Sequence, residues 1–266
     1  MKCEKTGVLP ASEIDIPAMK AKYRHERERR LRKEGQKQYV KLSEETPQDH
    51  THDPYTEIAP REPVVRDMDT VILGAGWTGV CAAVHLKNAG VEDFAMVDHA
   101  GDLGGTWYWN RYPGLQCDND AYCYLPLLEE TGWLPSKQFE DGYAIFDYFT
   151  RIGKQFGLYE KALFHTLITA LKWDESIKRW RVSTNRGDEI RARFVIMGGG
   201  TLSTPKLPAI AGVESFKGKV FHTSRWDYDY TGGEWRNPVL DKLKDKRVAI
   251  LGTGATAIQA VPYLGK

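Results

Sequence analysis

The chain has 266 residues, of which 41% are apolar, enough to bury the core of one large domain or two modest ones. Its 37 basic residues nearly balance its 36 acidic residues, so the overall charge points neither to nucleic acid nor to an anionic membrane surface. A globular protein with a small-molecule partner is the first expectation.

The N-terminal region from Asp15 to Lys41 is dense in charged residues and is predicted to form an exposed helical arm. Asp15 and Pro17 suit the start of a helix, and Gly35 is a break. The basic residues could also form a nucleic-acid patch. However, acidic residues are interleaved with them, which is typical of a solvated helix face. Residues 43–66 carry four prolines and many polar residues, which indicates a linker or a wrapping segment.

The first organised segment has the pattern of a βαβ unit. Residues 71–73 form an apolar run that predicts a strand, and the glycine-rich loop 74–79 follows it. Apolar residues at helical spacing then predict a helix that Gly90 ends. A second apolar run, 94–97, predicts a strand that closes on Asp98. Strand, glycine loop, helix, strand and acidic end are the parts of a dinucleotide-binding unit.

The central part of the chain combines one helix with several strands. A helical pattern covers residues 143–156, after a shorter helical stretch. Residues 168–173 and 180–184 are predicted to form a hairpin, and a further strand is predicted at 194–197. These elements extend the first unit into an α/β domain.

The first glycine loop has a glycine for each structural requirement of a dinucleotide-binding loop. Gly74 permits a tight turn, Gly76 leaves room for a pyrophosphate, and Gly79 lets the helix pack closely on the strand. Asp98 lies 19 residues beyond Gly79, near the distance at which an acidic side chain holds ribose hydroxyls. A glycine triplet alone is often only a tight turn, but strand, helix and Asp98 in register favour nucleotide binding.

A second loop of this kind lies near the end of the chain. Residues 247–251 are predicted to form a strand, and Gly252, Gly254 and Ala257 follow, with alanine as an accepted variant of the third glycine. Two loops imply two nucleotides, and a flavin with a nicotinamide is the obvious pair. The alternative is one functional loop and one structural repeat. The predicted fold class is α/β, with two Rossmann-like dinucleotide-binding domains, the second incomplete, and the N-terminal helical arm.

The cysteines and the apolar runs bear on location. The chain has four cysteines, Cys3, Cys81, Cys117 and Cys123. They show neither metal-ligand spacing nor the density of a disulfide scaffold, so a reducing compartment and no metal site are expected. The longest apolar stretch, 71–84, is shorter than the roughly 20 residues that cross a bilayer. The N-terminus lacks an apolar signal core. A cytoplasmic protein without a membrane span is predicted.

Two motifs give the chain a family resemblance. Between the glycine loops the pattern Phe-x-Gly-x-x-x-His-Thr-x-x-Trp-Asp is formed by Phe216, Gly218, His222, Thr223, Trp226 and Asp227. A second pattern is formed by Gly104, Gly105, Thr106, Trp107, Tyr112, Pro113, Gly114 and Asp118. Both resemble the signatures of the Baeyer–Villiger monooxygenases, the class B flavoprotein monooxygenases. The arm resembles the long-armed branch that includes enzymes for large cyclic ketones and fungal terpenoid pathways.

The resemblance implies FAD and NADPH as cofactors and O2 with a bulky cyclic or terpenoid-like ketone as substrates. The product would be an ester or lactone. By similarity, FAD is bound by Gly74, Gly76, Gly79, Asp98, Thr106, Trp107, Trp109 and Tyr124. The residues that match NADP-binding positions are Gly252, Gly254, Thr256 and Gln259. Related flavin monooxygenases that oxidise nitrogen or sulfur usually carry Ser and Tyr at the positions of Thr223 and Trp226, so that class is an alternative.

Three further residues take their roles from the resemblance. Asp118 matches the aspartate that supports a catalytic arginine beside the flavin, although an Asp after Pro-Gly can simply cap a turn. His222 lies in a linker that couples cofactor movement to catalysis, so a conformational role is favoured over that of a general base. Trp226 is interpreted as a packing anchor of the same linker, in preference to a substrate contact.

The predicted domains are a helical arm and linker (1–66), an FAD-binding domain (67–210), and a fingerprint linker with the start of an NADP-binding domain (211–266). Relatives are about twice as long, and the FAD domain is expected to need a C-terminal part or a second chain. The alternative function is therefore a truncated or split flavoprotein without catalysis. The residues that distinguish NADP from NAD are expected beyond position 266.

Overall fold

The computed structural model describes residues 15–41, 53–202 and 204–265. The chain forms two compact units. One consists of residues 1–40 with 207–217, and the other of residues 41–206 with 218–266. These units do not coincide with the predicted divisions after residues 66 and 210, which stay a prediction.

The smaller unit contains the arm. Helix α1 (Ile16–Arg30) begins where it was predicted, because the Asp15 carboxylate accepts a hydrogen bond from the Ala18 N–H at 2.9 Å and Pro17 lies in the first turn. The helix ends at Arg30, earlier than the predicted arm, because Leu31 is extended. Strand β1 (Tyr39–Lys41) follows and pairs with β8 (Lys206–Pro208). The arm is therefore helical as predicted, but its helix ends five residues before the predicted break at Gly35.

The larger unit is built on a mixed sheet. Within residues 53–202 its six strands are β2 (Val65–Leu73), β3 (Phe94–Val97), β4 (Ala162–Leu163), β5 (Ile168–Asp174), β6 (Arg179–Thr184) and β7 (Glu189–Met197). They lie in the order β4-β3-β2-β7-β6-β5. Strands β4, β3, β2 and β7 are parallel, whereas β5, β6 and β7 are antiparallel. The predicted hairpin is therefore confirmed as the β5–β6 pair.

The predicted βαβ unit is confirmed. Helix α2 (Trp77–Asn88) connects β2 to β3, and Leu73 pairs with Val97 at the carboxyl ends of these strands. The glycine loop and Asp98 directly follow these two residues, so they meet at one edge of the sheet, where α/β proteins bind nucleotides.

Helices cover one face of the sheet and enclose the core. The remaining helices are α3 (Thr106–Trp109), α4 (Ala121–Tyr124), α5 (Leu128–Thr131), α6 (Gly142–Gln155), α7 (Tyr228–Thr231) and α8 (Ala255–Leu264). Helix α6 lies within one residue of its predicted bounds, because Ile145, Phe149 and Ile152 recur at helical spacing and are fully buried. Their packing against Ile72 and Met96 joins helix and sheet in one apolar cluster.

The second βα pattern is formed only in part. Helix α8 follows the loop at Gly254, as predicted, but residues 247–251 form no strand. Val248 and Leu251 are 49% and 69% exposed. A strand needs a neighbour to satisfy its backbone groups, and none of the strands in the described ranges pairs with this segment. The strand prediction is therefore wrong for this structure.

None of the helices in the described part of the chain is long and apolar enough to span a membrane.

Candidate active site

A cavity of about 710 Å³ lies at the carboxyl edge of the parallel strands. Its wall is formed by the glycine loop after β2, by Asp98 after β3, and by residues 198–200 after β7. Ligand pockets commonly have volumes of about 300–1,000 Å³. Of the eight residues predicted to bind FAD, seven line this cavity: Gly74, Gly76, Asp98, Thr106, Trp107, Trp109 and Tyr124.

The eighth residue, Gly79, lies behind the cavity and explains the shape of the loop. A Cβ atom at Gly79 would lie 1.9 Å from the carbonyl oxygen of Gly74, so only glycine allows α2 to begin this close to β2. Gly74 has a φ of +93°, and a Cβ there would lie 2.7 Å from the carbonyl oxygen of Gly198. The two glycines therefore set the loop against β7, with the N-terminus of α2 facing the cavity.

Asp98 is tied to the glycine loop. Its Oδ2 accepts a hydrogen bond from the Ala75 N–H at 2.6 Å, and its Oδ1 accepts one from the Ala100 N–H at 2.9 Å. Burial raises the pKa of Asp98, but the hydrogen bonds from His99, Ala100 and Ala75 outweigh it and hold the pKa below the usual range. Because a carboxylate oxygen has more than one lone pair, the ionised group can still accept from ribose hydroxyls.

Helix α3 supplies an aromatic wall. Trp107 donates its indole N–H to the Tyr124 hydroxyl at 3.0 Å, which ties α3 to α4. Trp109 is 1% exposed, and its indole N–H has no hydrogen-bond partner among the described residues. A buried donor without a partner carries a desolvation cost, so α3 keeps one polar group unpaired beside the cavity lining.

The Trp109 ring also contacts an imidazole and a guanidinium. The His99 ring stacks on it with 4.8 Å between centroids, and the Arg225 guanidinium lies 4.0 Å from the ring centroid. Both His99 and Arg225 line the cavity. The wall therefore combines flat apolar surface with positive charge, which suits an aromatic ligand that carries phosphate.

Asp118 does not line this cavity. It is exposed, and its carboxylate accepts a hydrogen bond from the side chain of the adjacent Asn119 at 3.3 Å. The motif loop that precedes it packs against α8, because a Cβ at Gly114 would lie 2.6 Å from the Gln259 carbonyl oxygen.

The residues predicted at the second loop lie apart from the cavity. Gly252 and Gly254 are exposed, with open space where a Cβ would be. Thr256 hydrogen-bonds the Tyr112 side chain, whose hydroxyl donates to the Gln259 Oε1 at 2.8 Å. The Gln259 amide also donates to the Gln116 carbonyl at 2.9 Å. The side chains of α8 therefore dock this helix onto the motif loop.

The linker residues are held by local hydrogen bonds. His222 accepts a hydrogen bond from the Ser224 N–H at its Nδ1, at 3.1 Å. Trp226 is buried, donates its indole N–H to Thr231 at 3.0 Å, and contacts Phe221 edge to face. Neither His222 nor Trp226 lines the cavity.

Part of the cavity lining was not predicted from the sequence. Asp53, His165 and Arg225 line the cavity, as does the glycine run 198–200. The glycine run after a predicted strand was a visible signal. Asp53 lies in a polar, proline-containing segment without periodicity, and nothing in the sequence distinguishes it from a solvent-exposed residue.

A dinucleotide with a flat ring system fits these residues. The glycine loop leaves backbone space at a helix N-terminus that would take a pyrophosphate, Asp98 lies where it would accept from a ribose hydroxyl, and α3 would offer aromatic surface to a ring system. Within the described residues, no group of three or more His, Cys, Asp or Glu side chains is arranged to hold a metal ion.

Comparison with known proteins agrees with this geometry. A family model described as an NAD(P)-binding Rossmann-like domain matches residues 72–149, which include the first glycine loop and α3. Baeyer-Villiger monooxygenase 4 of Dietzia sp. (strain D5) is 45% identical over 264 residues, covering 97% of this chain and 43% of the relative.

Solved structures share the fold. The polycyclic ketone monooxygenase of the thermophilic fungus Thermothelomyces thermophila is 40% identical, with a TM-score of 0.85 over 93% of this chain and 42% of that one. OTEMO, solved in complex with FAD and NADP, is 33% identical, with a TM-score of 0.66 over 77% of this chain and 37% of that one. The α/β fold class is thereby confirmed. The chain belongs to the Baeyer–Villiger monooxygenase family and spans about two fifths of the length of the relatives that it matches.

Proposed function

We propose that the cavity binds FAD and that the chain serves an NADPH-dependent Baeyer–Villiger oxidation. In the balanced reaction a ketone, NADPH, a proton and O2 give an ester or lactone, NADP⁺ and water. One observation carries the proposal: seven residues of the predicted FAD set line a single cavity. The family relationship supplies the reaction class, and the activity belongs to the whole protein.

Each part of the cavity has a proposed task in FAD binding. The pyrophosphate would lie on the loop of Gly74 and Gly76, with Gly79 holding the helix N-terminus in place. Asp98 would accept from the ribose hydroxyls. The ring system would lie along α3, against Thr106, Trp107 and Trp109, with Tyr124 behind Trp107. Bound FAD would accept a hydride from NADPH and activate O2.

NADPH is proposed to bind at the second glycine loop, through Gly252, Gly254, Thr256 and Gln259. Support comes from the helix that begins directly after this loop. The same proposal divides the chain into an arm and linker (1–66), an FAD-binding domain (67–210) and a linker with the start of an NADP-binding domain (211–266).

Asp118 is proposed as the catalytic carboxylate, on the strength of its place in the motif and its exposed carboxylate next to the docking point of α8. His222 and Trp226 are proposed to act in the linker. Trp226 would anchor it by packing, and His222 would hold the turn at Ser224. Neither is proposed to transfer a proton.

The substrate class is proposed to be a bulky polycyclic or terpenoid-like ketone, because the relatives include an enzyme named for polycyclic ketones. A cytoplasmic location is proposed from the absence of disulfide-type cysteine spacing. A second chain or a C-terminal segment is proposed to complete the active site.

The test is turnover by the purified protein with FAD, NADPH, a polycyclic ketone and ¹⁸O2. The proposal expects ketone-dependent NADPH oxidation and an ester that carries one ¹⁸O atom. Asp118→Ala should lower ester formation at least tenfold with unchanged FAD binding, whereas the neighbouring change Asn119→Ala should not. FAD binding without any turnover would favour the non-catalytic flavoprotein, and oxygen transfer only to sulfides or amines would favour the other flavin monooxygenases.

A further inference from the structure

Residues 53–58 run along the cavity without forming a helix or a strand. Asp53 and Ile58 both line the cavity that holds Asp98. Asp53 is 4% exposed although it lies in a polar stretch of sequence, whereas Ile58 is 51% exposed. The 53–58 segment is therefore anchored at one end and presents an apolar side chain to the cavity at the other.

The anchor is a hydrogen-bond network around the Asp53 carboxylate. Its Oδ2 accepts from the Gly101 N–H at 2.9 Å and from the Tyr108 hydroxyl at 2.5 Å, and lies 3.1 Å from the His165 Nε2. Gly101 follows the Asp98 turn, Tyr108 belongs to α3, and His165 follows β4. Asp53 therefore joins three elements that border the cavity.

This network lies at the Asp98 end of the cavity. The His165 N–H donates to the Ala100 carbonyl at 2.9 Å, and the Thr166 N–H donates to the Asp98 carbonyl at 2.8 Å. The partners Gly101 and His165 therefore belong to, or are hydrogen-bonded to, the turn that follows Asp98. A ligand whose ribose reaches Asp98 would therefore lie next to the part of the cavity wall that Asp53 holds together.

A second contact ties the segment to the aromatic wall and to the linker. The Tyr55 hydroxyl lies 3.3 Å from the carbonyl oxygens of both Trp109 and Ser224, to either of which it can donate. The Arg111 guanidinium lies 3.6 Å from the centroid of the Tyr55 ring. The segment is therefore fixed at two points along its length, which favours one defined position over the cavity border.

The charge on Asp53 is consistent with this anchor. Burial raises the pKa of Asp53, but hydrogen bonds from Tyr108, the Tyr55 N–H and Thr56 outweigh it, so that the pKa lies below its usual value. The carboxylate is ionised at neutral pH. Because the network needs an acceptor for every donor, an amide at this position would leave at least one donor unsatisfied.

We propose that residues 53–58 form a clamp that closes the ribose end of the FAD cavity, with Asp53 as the positioning residue that holds it. The clamp sets how long FAD stays bound. The inference rests on the proposed function of the cavity as an FAD site. If Asp53 only supports the fold, its replacement should lower the stability equally with and without FAD. If it holds a clamp, its replacement should reduce the stabilisation that FAD binding adds.

The test compares wild type, Asp53→Asn and Ile58→Ala in the purified chain, with FAD and FMN as probes. The clamp predicts FAD release at least tenfold faster in Asp53→Asn and about threefold faster in Ile58→Ala, by flavin fluorescence. It also predicts that FAD raises the melting temperature less in these two variants than in wild type. FMN lacks the adenosine that reaches the Asp98 end, so its affinity should change less than that of FAD. Asp147→Asn, a half-exposed aspartate paired with Arg236, is the matched control.

Three outcomes overturn the inference in distinguishable ways. Wild-type FAD release in both variants refutes the clamp and leaves the FAD site intact. Equal losses of melting temperature with and without FAD show that Asp53 only supports the fold. A wild-type chain that binds neither FAD nor FMN refutes the proposed function of the cavity, and the clamp with it. If Asp53→Asn does not fold, Ile58→Ala decides, because its exposed side chain is not part of the core.

Discussion

The lack of a side chain at Gly79 allows the glycine loop to adopt the conformation that borders the cavity. A methyl group there would meet the Gly74 carbonyl at 1.9 Å, and a backbone oxygen cannot move away as a flexible side chain can. We expect Gly79→Ala to lower the free energy of unfolding by about 2 kcal/mol or more, as overpacking does. Urea unfolding measures this. Gly265→Ala, where the nearest atom is 3.9 Å away, should change it little, and equal values for the two variants would refute the steric argument.

Asp188 gives a pH-dependent prediction. Its carboxylate is 1% exposed and accepts two hydrogen bonds of 2.6 Å from the Arg61 guanidinium. Burial raises the pKa of Asp188, but the hydrogen bonds from Arg61, Thr184 and Val64 outweigh it and lower the pKa to about 2. Because the folded pKa is lowered, the stabilisation is present above the unfolded value near 4 and is lost as the pH falls towards 2.

The shift corresponds to about 2 kcal/mol at neutral pH. Asp188→Asn should therefore lower the free energy of unfolding at pH 7 by at least that amount and should flatten its pH dependence between pH 4 and pH 2. Urea unfolding over this range is the measurement. Asp67→Asn, in an exposed pair with Arg191, should leave the dependence unchanged. A wild-type slope in Asp188→Asn would contradict the assignment.

At the scale of elements, the contact between α3 and α4 positions the aromatic wall. Tyr124→Phe removes the acceptor of the Trp107 indole N–H and leaves the donor of a buried side chain unsatisfied. We expect a loss of stability of about 1–3 kcal/mol and a changed absorption spectrum of bound flavin, because Trp107 lines the cavity. Tyr122→Phe alters an exposed residue of the same helix and is the control. Identical spectra for both variants would count against the wall.

Elements with a strong period could be predicted from sequence, and those that depend on a partner could not. Strand β3 was predicted at its observed bounds because it is a continuous apolar run, and α6 within one residue because its buried residues recur at helical spacing. Residues 247–251 have the same apolar character, yet form no strand, because pairing depends on a neighbour that local sequence does not reveal. Strand β7 is longer than predicted because its first half pairs with both β2 and β6.

At the scale of the whole molecule, the sequence predicted the parts of the site that follow a motif. The glycine loop, Asp98 and α3 come together because parallel strands end at the same sheet edge. Asp53 was not predicted, because its burial depends on contacts more than 40 residues away in sequence, with Gly101, Tyr108 and His165. Long-range hydrogen bonds of this kind leave no local pattern.

The most direct test of the proposed FAD site is a crystal structure of the chain with FAD. We expect the pyrophosphate at the N-terminus of α2, a ribose hydroxyl on the Asp98 carboxylate, and the ring system beside Trp107 and Trp109. FAD bound elsewhere on the chain, or a cavity that stays empty at saturating FAD, would contradict this assignment.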